Sequence, residues 1–170
     1  MALNSEHGLK QIAILRDRFG EKCMIGAGTA ISVDLAKAAI GAGAQFLLTP
    51  GTPIDVLQYC AKKDIMLLPG VFTPGDVATS LEFGYKTMKL FPAGCAPKGY
   101  LKALKGPYDE ANYIAIGGVT IDNINDYFKE GYMGVGLASN LMPLSVLKDK
   151  NWDLGVSYVQ KYVSRVKRRV

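Results

Sequence analysis

The scarcest residues set the first limits on this sequence. Its 170 residues hold one histidine, His7, and three scattered cysteines, Cys23, Cys60 and Cys95. That excludes a zinc site built from His and Cys pairs, and the odd, wide spacing reads as reduced thiols. No apolar run approaches the ~20 residues of a membrane-spanning helix, and the N-terminus lacks a charged-then-apolar signal layout. These absences predict a soluble, cytoplasmic protein with no membrane partner. Spread-out positive charge is missing too. Twenty Lys and Arg against 15 Asp and Glu give +5, but Arg165, Lys167, Arg168 and Arg169 crowd the C-terminus. The remainder is close to neutral, which argues against a nucleic-acid partner. The basic segment from Lys161 to Arg169 reads as a solvated helix face favoured by the helix dipole. No linker or low-complexity stretch interrupts the chain, so residues 1–170 read as a single domain. A composition of 49 % apolar and 21 % charged residues is enough for one real core.

What the sequence does have is an approximate repeat of short apolar runs ending in Gly or Pro. They are Cys23–Gly26, Phe46–Pro50, Ile65–Pro69, Thr87–Pro92, Tyr113–Gly117 and Met133–Leu137, with starts 19 to 26 residues apart. Each run is continuous rather than alternating, as strands covered on both faces are. Helix-start chemistry lies between them. Ser32 precedes an apolar-periodic stretch through Ile40, stopped by Gly41 and Gly43. Thr52-Pro53 and Thr73-Pro74 each predict a hydroxyl cap with proline at the first helical position, and Thr120 predicts another cap. A helix is expected over about 7–19, after an extended stub from Met1 to Ser5, with Ile12, Leu15 and Phe19 as its core face. Strands alternating with helices give an α/β fold with a parallel sheet. The spacing suits a (β/α)8 TIM barrel with about six complete units.

Barrel active sites lie at the C-terminal ends of the strands. Lys89 is the most informative residue there, because it interrupts an apolar run where a strand should be dry. It either snorkels to water or is a desolvated amine with a depressed pKa, able to attack a ketone and form a Schiff base. Lys86 already serves as the solvated cation of that run, which favours the second reading. Strand alternation puts Thr87 and Phe91 on the same face as Lys89. Gly117-Gly118 and Ser139-Asn140 follow the fifth and sixth runs. They make either a phosphate site of backbone N–H groups and the Ser139 hydroxyl, or simply tight turns requiring positive φ. His7 reads as a surface residue at a helix start, and Cys95 as incidental.

Several motifs now coincide. Gly26-Ala27-Gly28-Thr29, Thr49-Pro50-Gly51, Pro69-Gly70, Met88-Lys89-Leu90-Phe91-Pro92-Ala93, Ile116-Gly117-Gly118-Val119 and Gly136-Leu137-Ala138-Ser139 occur in this order. In this the sequence resembles the 2-keto-3-deoxy-6-phosphogluconate and 4-hydroxy-2-oxoglutarate aldolases, a family that includes the phosphogalactonate aldolases. The resemblance implies a class I aldolase that works without metal or other cofactor, as a homotrimer. Its substrate would be a 2-keto-3-deoxy-6-phospho sugar acid, cleaved to pyruvate and glyceraldehyde 3-phosphate. By position, Lys89 matches the Schiff-base lysine. Thr29, Thr49 and Pro50 match the wall around the pyruvate carboxylate and methyl, with Phe91 beside them. Gly117, Gly118 and Ser139 match the phosphate site. Asn4-Ser5 leans toward the phosphogalactonate branch. Met1-Ala2-Leu3-Asn4-Ser5 matches the family's second strand from the residue just after its general acid–base glutamate. The resemblance therefore implies an N-terminal truncation: a barrel without the first unit and most of the second strand, and an aldolase impaired by the missing glutamate. The alternative is a non-catalytic remnant that keeps the sugar-phosphate pocket. A thiamin phosphate synthase relative is set aside, because that family has no lysine in this role.

Overall fold

The computed structural model describes residues 1–167, with Lys167 described by its backbone alone. Parallel strands alternate with helices along the chain, which divides into two compact units, Met1–Lys89 and Leu90 onward.

The first unit runs α1 Gly8–Phe19, β1 Gly26–Gly28, α2 Val33–Gly41, β2 Phe46–Leu48, α3 Ile54–Lys62, β3 Leu67–Leu68, β4 Gly70–Val71, α4 Pro74–Glu82 and β5 Thr87–Leu90, whose last residue opens the second unit. β1, β2 and β3 lie side by side and parallel, with Ala27 opposite Leu47 and Leu47 opposite Leu67. The expected N-terminal stub extends this sheet. The Leu3 N–H donates to the Gly28 carbonyl at 2.9 Å, and the Gly28 N–H donates to the Met1 carbonyl at 2.7 Å. Under the sheet, Ile12, Ala27, Ala36, Ala39, Leu47, Val56, Leu57 and Cys60 form a fully buried cluster. Leu15 packs against its edge, but Phe19, at the end of α1, is 45 % exposed and not core.

Pairing in this sheet begins later than the apolar run at Cys23 suggests. Cys23 and Met24 are exposed, and the Ile25 N–H is taken by the Gln45 side-chain oxygen at 2.8 Å before the ladder starts at Gly26. The run Ile65–Pro69 likewise pairs only over β3, Leu67–Leu68, and a second short strand, β4, follows it. Pro69, which has no N–H to give, separates β3 from β4.

Local chemistry explains the helix starts. Ser32 Oγ accepts from the Leu35 N–H at 3.2 Å, the expected cap of α2. Thr73 caps α4 in a reciprocal box with Asp76, with Pro74 in the first turn. Thr52 does not cap α3. Its hydroxyl donates to Asp76 Oδ1 at 3.2 Å, and α3 starts after Pro53 with no side-chain cap.

The second unit runs through a 3-10 turn Ala93–Cys95, α5 Tyr100–Lys105, β6 Asn112–Ile116, α6 Ile124–Glu130, β7 Gly134–Gly136, α7 Leu144–Lys148 and α8 Trp152–Lys167. β6 and β7 are parallel, with Ala115 opposite Val135. Its core includes Leu101, Leu104, Tyr113, Ala115, Val119 and Ile124. The Tyr113 hydroxyl is buried without a hydrogen-bond partner among the described residues, and burial, with Tyr108 and Tyr100 nearby, pushes its pKa up to about 12. Thr120 makes its cap a turn earlier than α6 itself: its N–H donates to Asn123 Oδ1 at 2.7 Å, and its Oγ1 accepts from the Asn123 N–H at 3.3 Å. Of the basic tail, Lys161 and Arg165 are exposed on α8, while the Lys167 side chain, Arg168 and Arg169 lie outside the described residues. No helix among the described residues is long and apolar enough to cross a membrane.

Candidate active site

In the first unit the parallel register brings the C-terminal ends of β1, β2 and β3 to one edge, followed by Thr29, Thr49 and Pro69. The Ala30 N–H donates to the Leu48 carbonyl at 3.1 Å, which sets Thr29 beside the end of β2. Thr29 has φ +66°, in the left-handed region. That conformation is rare for a β-branched residue and costs on the order of 1–3 kcal/mol, so the surrounding structure must hold it.

Thr49 is completely buried, and its hydroxyl is fully engaged. Oγ1 donates to the Gly51 carbonyl at 2.6 Å and accepts from the Gly70 N–H at 3.0 Å. Pro69, the residue before Gly70, accepts the Lys89 N–H at 2.8 Å. One dipeptide thus ties the end of β2 to β5. A side chain at Gly70 would put its Cβ 2.6 Å from the Thr49 carbonyl oxygen, so only glycine allows this approach. Pro50 is exposed next to this knot.

Lys89 is 9 % exposed and is the one buried residue among those described that carries a formal charge in its ordinary state. Burial lowers its pKa from the ordinary 10.5, because a low-dielectric setting disfavours the ammonium form. Lys86 is exposed, so the solvated cation and the dry amine occupy the two positions the sequence suggests.

The remaining residues fall in the second unit. Phe91 precedes Pro92 through a cis peptide bond and lies beside Gly117, where a Cβ would come 3.1 Å from the ring. Gly117 and Gly118 have φ +88° and +84°, and a Cβ on Gly118 would meet the Gly94 Cα at 2.8 Å. Both the backbone angle and the close approach therefore require glycine. Ser139 is exposed in the turn after β7. It lines a cavity of about 370 Å³ with Thr120, Asn140, Tyr158 and Lys161. A larger cavity of about 540 Å³, between the 93–98 segment and α6, contains none of the candidate site residues.

The sequence does not announce the supports of the Gly117-Gly118 turn. Asn123 Nδ2 donates to the Gly118 carbonyl at 2.9 Å, and Asn140 Nδ2 donates to the Val119 carbonyl at 3.1 Å. The Tyr162 hydroxyl, on α8, donates to the Asn140 carbonyl at 2.7 Å. The three-residue spacing from Thr120 to Asn123 is the one signal that could have found Asn123, since it is the spacing of a capping box. His7 is exposed at the start of α1 and makes no side-chain cap. Cys23 and Cys95 are exposed free thiols, and Cys60 is buried, with its pKa pushed up to about 11 by that burial. Among the described residues, no group of three or more His, Cys, Asp and Glu is placed to hold a metal ion.

Comparison with known proteins bears on the whole chain. The 2-dehydro-3-deoxy-6-phosphogalactonate aldolase of Escherichia coli is 31 % identical over 162 residues, covering 94 % of this chain and 78 % of that protein. The 2-dehydro-3-deoxy-phosphogluconate aldolase of Pseudomonas aeruginosa is 32 % identical over 154 residues, covering 89 % of this chain and 69 % of that protein. The crystal structure of the KDPG aldolase of Legionella pneumophila, with pyruvate captured as a covalent carbinolamine, superposes with a TM-score of 0.86 at 29 % identity, over 93 % of this chain and 77 % of that one. Residues 1–157 match the family described as KDPG and KHG aldolase, and with this breadth of agreement the chain belongs to that aldolase family.

Proposed function

We propose that this chain is a class I aldolase acting on a 2-keto-3-deoxy-6-phospho sugar acid, with Lys89 as its Schiff-base residue. The observation that carries the reading is a lysine buried on β5 with a lowered pKa. A neutral amine has a lone pair to attack the C2 ketone, and loss of water gives an iminium. When the C3–C4 bond breaks, the C4 hydroxyl gives up its proton and glyceraldehyde 3-phosphate leaves. The electron pair passes into the iminium, giving an enamine. Protonation at C3 and hydrolysis then release pyruvate and restore the amine. The imine itself is the electron sink, so the chemistry requires no metal.

Thr29, Thr49 and Pro50 form the wall around the pyruvate moiety in this proposal. Because the Thr49 hydroxyl is already engaged, Thr49 acts by holding the wall's shape. Phe91 belongs to the substrate-binding set, and Gly117, Gly118 and Ser139 hold the phosphate. The units follow the plan of a (β/α)8 barrel, and the working form is a homo-oligomer, as a trimer.

Incubation with pyruvate and borohydride tests the proposal. One three-carbon unit should appear on the peptide containing Lys89. Trapping on Lys86, or turnover without any trapping, would overturn it. Turnover is a separate measurement: cleavage of a phosphogluconate or phosphogalactonate substrate alongside trapping supports the aldolase reading, and trapping without cleavage would favour a binding role.

A further inference from the structure

The turn at Gly117-Gly118 is held from behind by three donors on three consecutive carbonyls. The Gly94 N–H takes the Gly117 oxygen at 2.8 Å, Asn123 Nδ2 takes the Gly118 oxygen at 2.9 Å and Asn140 Nδ2 takes the Val119 oxygen at 3.1 Å. Among the described residues, no acceptor takes the N–H groups of Gly117, Gly118 or Val119. This asymmetry matters electrostatically. A run of free N–H groups attracts an anion, whereas a carbonyl turned into the same place would repel it. With φ near +85° at two successive glycines, the peptide planes have unusual freedom to rotate, and a donor locked onto each carbonyl removes it.

We infer that Asn123 and Asn140 are positioning residues for the substrate's terminal anion, keeping the carbonyls of Gly118 and Val119 out of the site. The inference rests on the assignment of the phosphate to this turn. Each asparagine is itself fixed. Asn123 Oδ1 accepts the Thr120 N–H at 2.7 Å, which decides which way its amide faces, and the Asn140 backbone is held by the buried Tyr162 hydroxyl. The two amides come from different places, one from the start of α6 and one from the turn after β7. The loop carrying Ser139 and the glycine turn are thereby locked to each other. Neither asparagine has to touch the phosphate to do this.

The experiment compares wild type with Asn123→Ala, Asn123→Asp and Asn140→Ala. Asn123→Asp keeps the acceptor for Thr120 and loses only the donor to Gly118, and the alanine variants show that an added charge is not the cause. Inorganic phosphate should raise the melting temperature of the wild type. Its apparent Kd should weaken about 10-fold or more in each variant, the scale on which loss of 1.4 kcal/mol reads out. Pyruvate trapping at Lys89 should be unchanged, which shows that a variant has folded. KM for a phosphorylated substrate should rise with little change in kcat. Equal phosphate protection of wild type and variants would overturn the inference. So would variants in which trapping and phosphate binding fall together, since that is a general loss of fold. If phosphate fails to protect the wild type, the phosphate assignment itself falls, and the inference with it.

Discussion

The two units solve the same problem of presenting polar groups at strand ends by different means. The first uses side chains: the buried Lys89 amine, the strained Thr29 and the doubly bonded Thr49 hydroxyl. The second uses backbone, with two glycines in a turn whose carbonyls are tied off and a single exposed serine nearby. The difference concerns what can be replaced. A side-chain site fails when one functional group is removed, whereas a backbone site fails when its geometry is relaxed, whichever residue relaxes it.

The sharpest way to break the comparison is Lys89→Arg. A guanidinium stays protonated and cannot attack a carbonyl, so trapping and cleavage should both fall to background while phosphate still protects the protein. Loss of phosphate protection in that variant would show that the two regions do not act independently.

Thr49→Val comes next. It removes the hydroxyl that accepts the buried Gly70 N–H, and an unsatisfied buried donor costs about 1–3 kcal/mol. Urea titration should show a loss of that size. Tyr113→Phe, in the second unit, makes the contrast: its hydroxyl is already without a partner, so removing it should leave stability unchanged or higher. A destabilisation like that of Thr49→Val would mean that the Tyr113 hydroxyl is satisfied in solution.

A titration sharpens the comparison further. The folded-state pKa of Lys89 lies below its ordinary 10.5, so the unfolded chain binds more protons between the two values. This group's contribution to stability is therefore complete above pH 10.5 and is lost as pH falls through the lowered folded value. Lys89→Met should stabilise the protein most below that value, and the gap in melting temperature should narrow as pH climbs toward 10.5. The rate of attack on the ketone should instead rise as pH climbs through the lowered folded value, where the amine becomes neutral. The smallest expected loss is that of Tyr162→Phe. Losing one hydrogen bond to the Asn140 carbonyl should cost about 0.5–1.5 kcal/mol and weaken phosphate protection slightly.

The sequence announces most of this architecture because its signals are local. Apolar runs ending in Gly or Pro mark the strands, and Thr73-Pro74 marks the start of α4 because its partner, Asp76, lies within the same turn. Thr52-Pro53 carries the same signal and misleads, because its hydroxyl is claimed by Asp76 in the first turn of α4. Phe19 has the spacing of a core residue but is the last residue of its helix and lies exposed, outside the cluster that buries Ile12. Lys89 is legible because a lysine inside an apolar run is an anomaly with few explanations. Asn140 is visible only as a neighbour of Ser139, and Asn123 only by its three-residue spacing from Thr120. What each does is donate to a carbonyl elsewhere in the chain, and no spacing rule marks that.

The cysteines offer a practical consequence. Cys60 is sealed in the core with a raised pKa, so thiol reagents will leave it alone, while Cys23 and Cys95 are open to solvent. One of these lies in each unit. Each unit of the unaltered protein can therefore carry an environment-sensitive fluorophore on its own thiol, and the emission of each would report its local response when pyruvate or phosphate arrives.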